Sequence, residues 1–421
     1  MDKIHSLTGM IDLISSKTDK SDFANKIFYT EKVLKKIFNS FSFNEIRTPA
    51  IENTNLFTRS VGNTSDIVNK ELYSFFDKNE KSITLRPEGT ASVIRALIEK
   101  KIDSEFHKLW YLGPMWRYER PQKGRYRQFN QAGVEILGYE EGIAEFELIS
   151  MIIAINKKLK IDNSIIKINH LGNIETKILF CEELVKYLKP YSSKLDEKDY
   201  TRLNNNPLRI LDSKNEVTLN LLKDGPKIEE YLPENSINML ETIKAMFSEE
   251  CDIKIDHNLV RGLDYYTGFV FEAISSNLGA QDSYLGGGRY DNLCNQLGGK
   301  KLPAVGMAIG IERLAMLSNQ CEEEEILISL FILSDNIKSK AYKIAHQIRS
   351  LNDKVVIDVH LNEGSLKSKL RRANKDNAEY AIIIGEEEFK SDKFTLKSLK
   401  GNSPEQETLC MKDLVEYLSN L

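Results

Sequence analysis

Residues 110–138, WYLGPMWRYERPQKGRYRQFNQAGVEILG, decide how the rest of the chain is read. Both flanks are aromatic and apolar, while the middle carries Pro121 and Gly124, which punctuate a connection rather than a ladder. The pattern predicts strand, basic loop, strand. Between Arg117 and Arg127 stand five basic residues (Arg117, Arg120, Lys123, Arg125, Arg127) and one acid, Glu119, in a chain whose net charge is −4. A local cationic excess of this kind calls for an anion, and phosphate is the usual one.

In an extended chain side chains alternate faces, so Phe129, Gln131, Gly133 and Glu135 share one face and Ala132, Val134 and Ile136 the other. The second set packs. The first set, an aromatic ring, an amide, no side chain and a carboxylate, makes a poor core but a plausible ligand-reading face. The plainer alternative is a solvent-facing strand edge beside a charged hairpin.

Outward from this stretch, 421 residues predict two or three domains. A composition 41% hydrophobic and 29% charged is that of a soluble globular protein. No apolar run approaches the ~20 residues needed to span a bilayer, so no membrane contact is expected. The first residues, MDKIHSLTGMIDLIS, lack the pattern of a secretory signal. Five scattered cysteines (Cys181, Cys251, Cys294, Cys321, Cys410), none in a CxxC pair, argue against a disulfide framework or zinc site and for reduced thiols in the cytoplasm. Six histidines without ligand spacing give no metal site and no general base.

Apolar residues recur at helical spacing over residues 21–41, capped by Ser21 or Asp22, and FNEIRTPAI over 43–51 reads as extended. Residues 72–76 and 82–85 resemble a hairpin, followed by Arg86-Pro87-Glu88-Gly89-Thr90 and a helix. Residues 172–247 are lysine-rich, helical in pattern and without a chemically suggestive cluster, so they read as an inserted helical subdomain. Core-like sequence returns at 253, through LVRGLDYY (259–266), the turn GGGRYD (286–291) and PAVGMAIGIERLAML (303–317). The acidic run 322–325 marks a boundary. Beyond it apolar strands at 326–333, 355–359 and 380–384 alternate with helical stretches at 337–351, 366–376 and 411–421, which predicts an α/β domain.

Singly these segments are weak. Together TLRPEGTASVIRA, GPMWRYERPQKGRYRQFNQAGVEILG, LVRGLDYYTG, GGGRYD and AVGMAIGIERL resemble the histidyl-tRNA synthetases, a class II aminoacyl-tRNA synthetase family, from about Ile11 to the C-terminus. RGLDYY and GGGRYD mark the histidine enzymes. The resemblance implies an α+β catalytic domain over 1–325 with a six-stranded antiparallel sheet and the helical insertion at 172–247. It also implies a C-terminal α/β anticodon-binding domain over 326–421, and a homodimer built partly on the helix–strand pair at 23–51. Thr8 stands before Gly9 where the family often has an arginine, which affects only the detail of the N-terminal segment.

The implied chemistry is ligation of L-histidine to the 3′-terminal adenosine of tRNA(His): histidine and ATP give histidyl-adenylate and pyrophosphate, then a ribose hydroxyl takes the histidyl group. By the same matching Arg261 and Arg117 are catalytic, acting on the α-phosphate with permanent charge and planar donor forks. Arg125 approaches the outer phosphates, whose charge is shared with Mg²⁺, and Phe129 and Arg313 sandwich the adenine. Glu88, Thr90 and Gln131 suit the amino acid's ammonium. Glu135 and Tyr266, beside Tyr265, suit the imidazole, whose donor and acceptor each need a partner. Arg120, Gln122 and Lys123 in the basic loop meet the tRNA acceptor end, and Lys367, Lys369, Arg371, Arg372 and Lys375 offer a basic helix to RNA. The rival is a synthetase-like regulatory subunit that senses histidine. Such a paralogue usually lacks the anticodon domain and several substrate-binding residues, whereas Gln131, Glu135, Arg261 and Arg313 are all present here.

Overall fold

The computed structural model describes residues 3–15, 23–62, 65, 67–279, 282–319, 326–350, 354–360, 364–401 and 405–420. The capping pair Ser21 and Asp22, and the acidic run 322–325, lie outside them. The chain divides into two compact units: Met1–Leu13 with Lys26–Gln320, and Ile14–Asn25 with Cys321–Leu421.

In chain order the strands of the larger unit are β1 (Asn44–Glu45), β2 (Ile51–Asn53), β3 (Tyr73–Phe76), β4 (Ser82–Leu85), β5 (His107–Trp116), β6 (Gln128–Leu137), β7 (Ser164–His170), β8 (Asp252–Ile255), β9 (Thr267–Ser275), β10 (Ser283–Arg289) and β11 (Ala304–Gly310). The main sheet runs β1-β5-β6-β11-β10-β9-β7-β8. Its six central strands are antiparallel throughout, but β1 pairs parallel to β5 and β8 parallel to β7. The expected six-stranded antiparallel sheet is therefore corrected to an eight-stranded mixed one. Its edge strands have two and four residues, too short to show alternation. Residues 43–51 do not form the single extended piece expected. Pro49 cannot donate to a ladder, and β1 and β2 on either side of it enter different sheets, β2 joining the hairpin β3–β4 in a three-stranded sheet.

The long first helix, Phe23–Ser40, buries Ile27, Val33, Leu34, Ile37 and Phe38 along one stripe. Helix Ile143–Leu159 buries Leu148, Ile149, Met151, Ile152, Ile155 and Leu159. Residues 172–247 fold as four α-helices linked by 3₁₀ turns. Phe180, Leu184, Leu203, Ile210 and Leu222 from this stretch share one apolar cluster with Val93, Tyr111, Tyr265 and Val270, so the insertion is continuous with the core around the sheet.

The smaller unit has β12 (Ile326–Ile332), β13 (Val355–Val359), β14 (Tyr380–Ile384), β15 (Lys393–Ser398) and β16 (Gln406–Cys410), ordered β13-β12-β14-β15-β16. The first three are parallel and packed by helices, whereas β15 and β16 add an antiparallel hairpin absent from the sequence reading. Leu366, Leu370 and Ala373 of helix Leu366–Lys375 face an apolar cluster, leaving Lys367, Arg371, Arg372 and Lys375 exposed. Lys369 of the same basic series is buried.

Candidate active site

The centre of the main sheet is a trough cut by small residues. Register places Tyr111, Gly133, Ala308, Gly286 and Glu272 side by side across five strands. Three small residues between two large ones leave room on that face. A Cβ on Gly286 would overlap the Arg261 guanidinium, one on Gly306 the Glu135 carboxylate, and one on Gly133 or Gly89 the Tyr111 ring. The glycines thus occupy positions where the side chains of other strands and loops must pass.

Above the trough lies a cavity of about 230 Å³ lined by Glu88, Thr90, Arg117, Glu119, Arg125, Phe129, Gln131, Arg261, Tyr265, Tyr266, Glu312 and Arg313, among others. Ten of the residues singled out from sequence are brought together here. Arg120, Gln122 and Lys123 are not among them; they stand exposed on the loop between β5 and β6, where Gln122 and Arg125 close a tight turn around Gly124 at φ +73°. That loop is anchored at its base, because the Gly9 carbonyl accepts from the backbone N–H groups of Arg127 and Gln128.

Each guanidinium is fixed by an acceptor that leaves part of its fork for a ligand. Arg117 Nε donates to the Pro87 carbonyl at 2.9 Å, and its guanidinium lies 5.2 Å from the centre of the Phe129 ring. Arg261 Nη1 donates to Glu272 Oε1 at 2.8 Å while its Nε is buried without a hydrogen-bond partner. Arg313 donates from Nε to the Gly124 carbonyl at 2.9 Å and from Nη1 to the Ser283 carbonyl at 2.7 Å. Arg125 pairs with the buried Glu119, so the loop's cationic excess is partly answered within the loop. Burial, and then the like charges of Arg125 and Arg117, push the Arg313 guanidinium below its ordinary value. Cations crowded to that degree favour an anion among them.

The carboxylates behave differently. Glu88 is buried and accepts from the backbone N–H of Thr90 (2.6 Å) and of Ala91 (2.9 Å), capping the start of helix Thr90–Lys100; burial raises its pKa. Glu135 is fully buried beneath the cavity rather than lining it, accepting from Thr90 Oγ1 at 2.7 Å and from the Tyr290 hydroxyl. Burial pushes its carboxyl up to about 8. Tyr265 packs on Tyr266 with ring centres 4.7 Å apart and edge-on against Tyr290 at 5.7 Å, closing an aromatic wall around that carboxyl. The side-chain oxygen of Gln131 is buried with no hydrogen-bond partner, an acceptor open toward a bound donor.

Sequence reasoning missed three supports. GGGRYD, expected as a turn, instead ends strand β10: Tyr290, just past the strand, holds Glu135, and its neighbour Arg289 is buried and donates to Glu145 and Asp291, fixing the strand's end. Tyr111 fills the space left by Gly89 and Gly133, and its hydroxyl is buried without a hydrogen-bond partner. Glu312, pushed up to about 7 by burial, accepts from the Asn130 N–H and side-chain amide, clipping helix Ile311–Leu317 to β6 between Phe129 and Gln131. Both tyrosines and Glu312 sit inside the motifs already noted, but only register shows what they touch. Among the described residues no group of three or more His, Cys, Asp or Glu side chains is placed to hold a metal, and no helix is long and apolar enough to cross a membrane.

Residues 21–314 match the family described as Histidyl-tRNA synthetase, and residues 327–421 match the Anticodon binding domain. The histidine–tRNA ligase of Francisella philomiragia is 39% identical over 430 residues, covering 100% of both chains. That of Prochlorococcus marinus is 40% identical over 405 residues, covering 94% of this chain and 92% of the other. Among solved structures, the apo histidyl-tRNA synthetase of S. aureus superposes with a TM-score of 0.77 at 32% identity, covering 99% of this chain and 100% of that one.

Proposed function

The chain belongs to the histidyl-tRNA synthetase family, and we propose that the cavity over β6, β10 and β11 is where it makes histidyl-adenylate. The activity is that of a histidine–tRNA ligase, with histidine, ATP and tRNA as substrates. The observation that carries the site assignment is four arginines gathered around one cavity whose floor holds a buried carboxyl ringed by tyrosines.

In the first step an oxygen of the histidine carboxylate bonds to the α-phosphorus of ATP. The bond from that phosphorus to the bridging oxygen breaks, and pyrophosphate leaves. Negative charge grows on the non-bridging oxygens, and Arg261 and Arg117 are assigned to it as preorganised donors that need no reorientation. Arg125 meets the outer phosphates of ATP, which enters as its Mg²⁺ complex, and Phe129 and Arg313 bracket the adenine. Glu88, Thr90 and Gln131 take the ammonium end of histidine, while Glu135, Tyr265 and Tyr266 take the ring end. In the second step a ribose hydroxyl of the terminal adenosine attacks the histidyl carbonyl and AMP leaves, with Arg120, Gln122 and Lys123 on the acceptor end. The protein acts as a cytoplasmic homodimer.

Histidine-dependent exchange of pyrophosphate into ATP tests this reading; a folded protein that binds histidine but gives no exchange overturns it. Within the site, Gly286→Ala is expected to lower exchange on the order of tenfold or more, because the new methyl group displaces the Arg261 guanidinium. A melting temperature near that of the parent shows that the sheet survived, and full exchange in that variant would remove Arg261 from the assignment.

Ending the chain at Glu325 is expected to leave exchange measurable and to reduce tRNA charging far more. The two units have separate apolar cores, and every residue assigned to adenylate formation lies in the larger one. The smaller unit supplies positioning contacts to RNA, so the charging defect is also expected to deepen with salt. Equal loss of both activities in a folded truncation would contradict this division of labour.

A further inference from the structure

The segment that carries Arg261 has little structure of its own. Between β8 and β9 it forms no strand and no helix. Its beginning is tied to the sheet, because Asn169 Nδ2 donates to the carbonyls of His257 (3.2 Å) and Leu259 (3.0 Å). Beyond Arg261 the ties come from elsewhere in the chain. Arg209 Nη1 donates to the Gly262 carbonyl at 3.1 Å and lies 3.9 Å from the Asp264 carboxylate. Asn206 Nδ2 donates to Asp264 Oδ1 at 2.8 Å. Lys177 Nζ, on a lysine whose pKa is lowered by burial, donates to the Tyr266 carbonyl at 2.9 Å.

These three donors sit on three elements of the insertion: helix Ile174–Leu188, the C-terminal cap of helix Glu197–Asn205, and the turn Pro207–Asp212. On its other side the segment rests on the turn after helix Thr54–Val61, where Gly62 (φ +88°) has no side chain because Asp264 fills that space. Lys177 and Arg209 reach the backbone carbonyls of Tyr266 and Gly262, both of which line the cavity, and Asn206 and Arg209 reach the one acid between them. None of the three lines the cavity.

We propose that Lys177, Asn206 and Arg209 are positioning residues for adenylate formation, through which the helical insertion sets where Arg261, Tyr265 and Tyr266 stand over the cavity. The inference rests on the role assigned to Arg261 above. Three groups of contacts with different origins hold one short segment: one from the sheet, one from the turn after helix Thr54–Val61 and one from the insertion. A shift of the insertion therefore moves the donor fork of Arg261 relative to a sheet that stays in place. Positional errors of that kind fall on the chemical step, because a preorganised donor loses its effect when it no longer points at the developing charge. Whatever engages the insertion thereby acts on the first step of the reaction as well as on its own binding.

The test compares exchange kinetics of Asn206→Ala, Arg209→Ala and Lys177→Met in the full-length protein, each alone and combined with Arg261→His. Thermal melting monitors folding. Each single variant is expected to lower kcat for exchange by about tenfold with the KM for ATP within about twofold, because no ATP contact is removed. In the Arg261→His background the additional loss from Arg209→Ala is expected to vanish, the non-additivity of residues that act through one another. If Arg209→Ala does not fold, Lys177→Met, which keeps most of the stem and its packing, carries the same comparison. Parental kcat in the folded insertion variants, with Arg261→His impaired, overturns the positioning role and leaves the assignment of Arg261 standing. Equal losses with and without Arg261 also overturn it, since they indicate general damage. Parental exchange in Arg261→His alone removes the role of Arg261, and the positioning role falls with it.

Discussion

Arg261→His is expected to slow histidyl-adenylate formation by about 10²–10³-fold, the scale of losing one preorganised donor at a developing charge, while histidine affinity changes much less. The guanidinium sits over Gly286, held by Glu272 through Nη1 at 2.8 Å. Its remaining donors are therefore aimed, not free to follow a ligand. An imidazole is shorter and cannot both satisfy Glu272 and reach the cavity. Single-turnover measurement of adenylate, beside equilibrium binding of histidine, separates the two effects. An unchanged rate, or a loss confined to histidine binding, would refute the assignment.

Glu135→Ala is expected to weaken histidine by about 2–5 kcal/mol, since a buried partner is removed from a polar substrate, and to leave ATP affinity close to that of the parent. The carboxyl touches Thr90 and Tyr290 beneath the cavity, so its loss also frees two hydroxyls that then compete for the ligand. Calorimetric titration with each substrate distinguishes this from damage to β6. Comparable losses for histidine and ATP would mean that the strand itself had given way, because Phe129, assigned to ATP, lies six residues before Glu135 on the same face.

Much of this site is legible before any coordinates. The alternation along β6 puts Phe129, Gln131 and Glu135 on the face toward the cavity and its floor and buries Ala132, Val134 and Ile136, because a period of two is a property of the extended chain itself. The hairpin β3–β4 is equally plain, with a polar turn between two apolar runs. Other features depend on distance in space alone. The charge count over 117–127 overstates the free charge, since Glu119 turns inward to Arg125. Residues 172–247 show no chemical cluster because part of what they contact is backbone carbonyls, which every residue carries and no sequence displays. The hairpin β15–β16 is masked by polar residues (Lys393, Gln406, Glu407 and Thr408) on its exposed positions, and the edge strands β1 and β8 by their length. The cationic helix at 366–375 misleads in one position only, Lys369, because helical geometry turns it toward the interior.

The glycines of the trough limit how this protein can be made more robust. Gly133, Gly286 and Gly306 are interior strand positions, where replacing glycine normally gains about 0.5–1 kcal/mol each by reducing the freedom of the unfolded chain. Together that is about 1.5–3 kcal/mol, a substantial share of a net stability of about 5–15 kcal/mol. Selection for heat resistance would be drawn to those positions, and each substitution would drive a side chain into Arg261, Glu135 or Tyr111. Thermostable descendants of this sequence should therefore have gained their stability elsewhere, in the apolar layers and surface loops, and kept all three glycines.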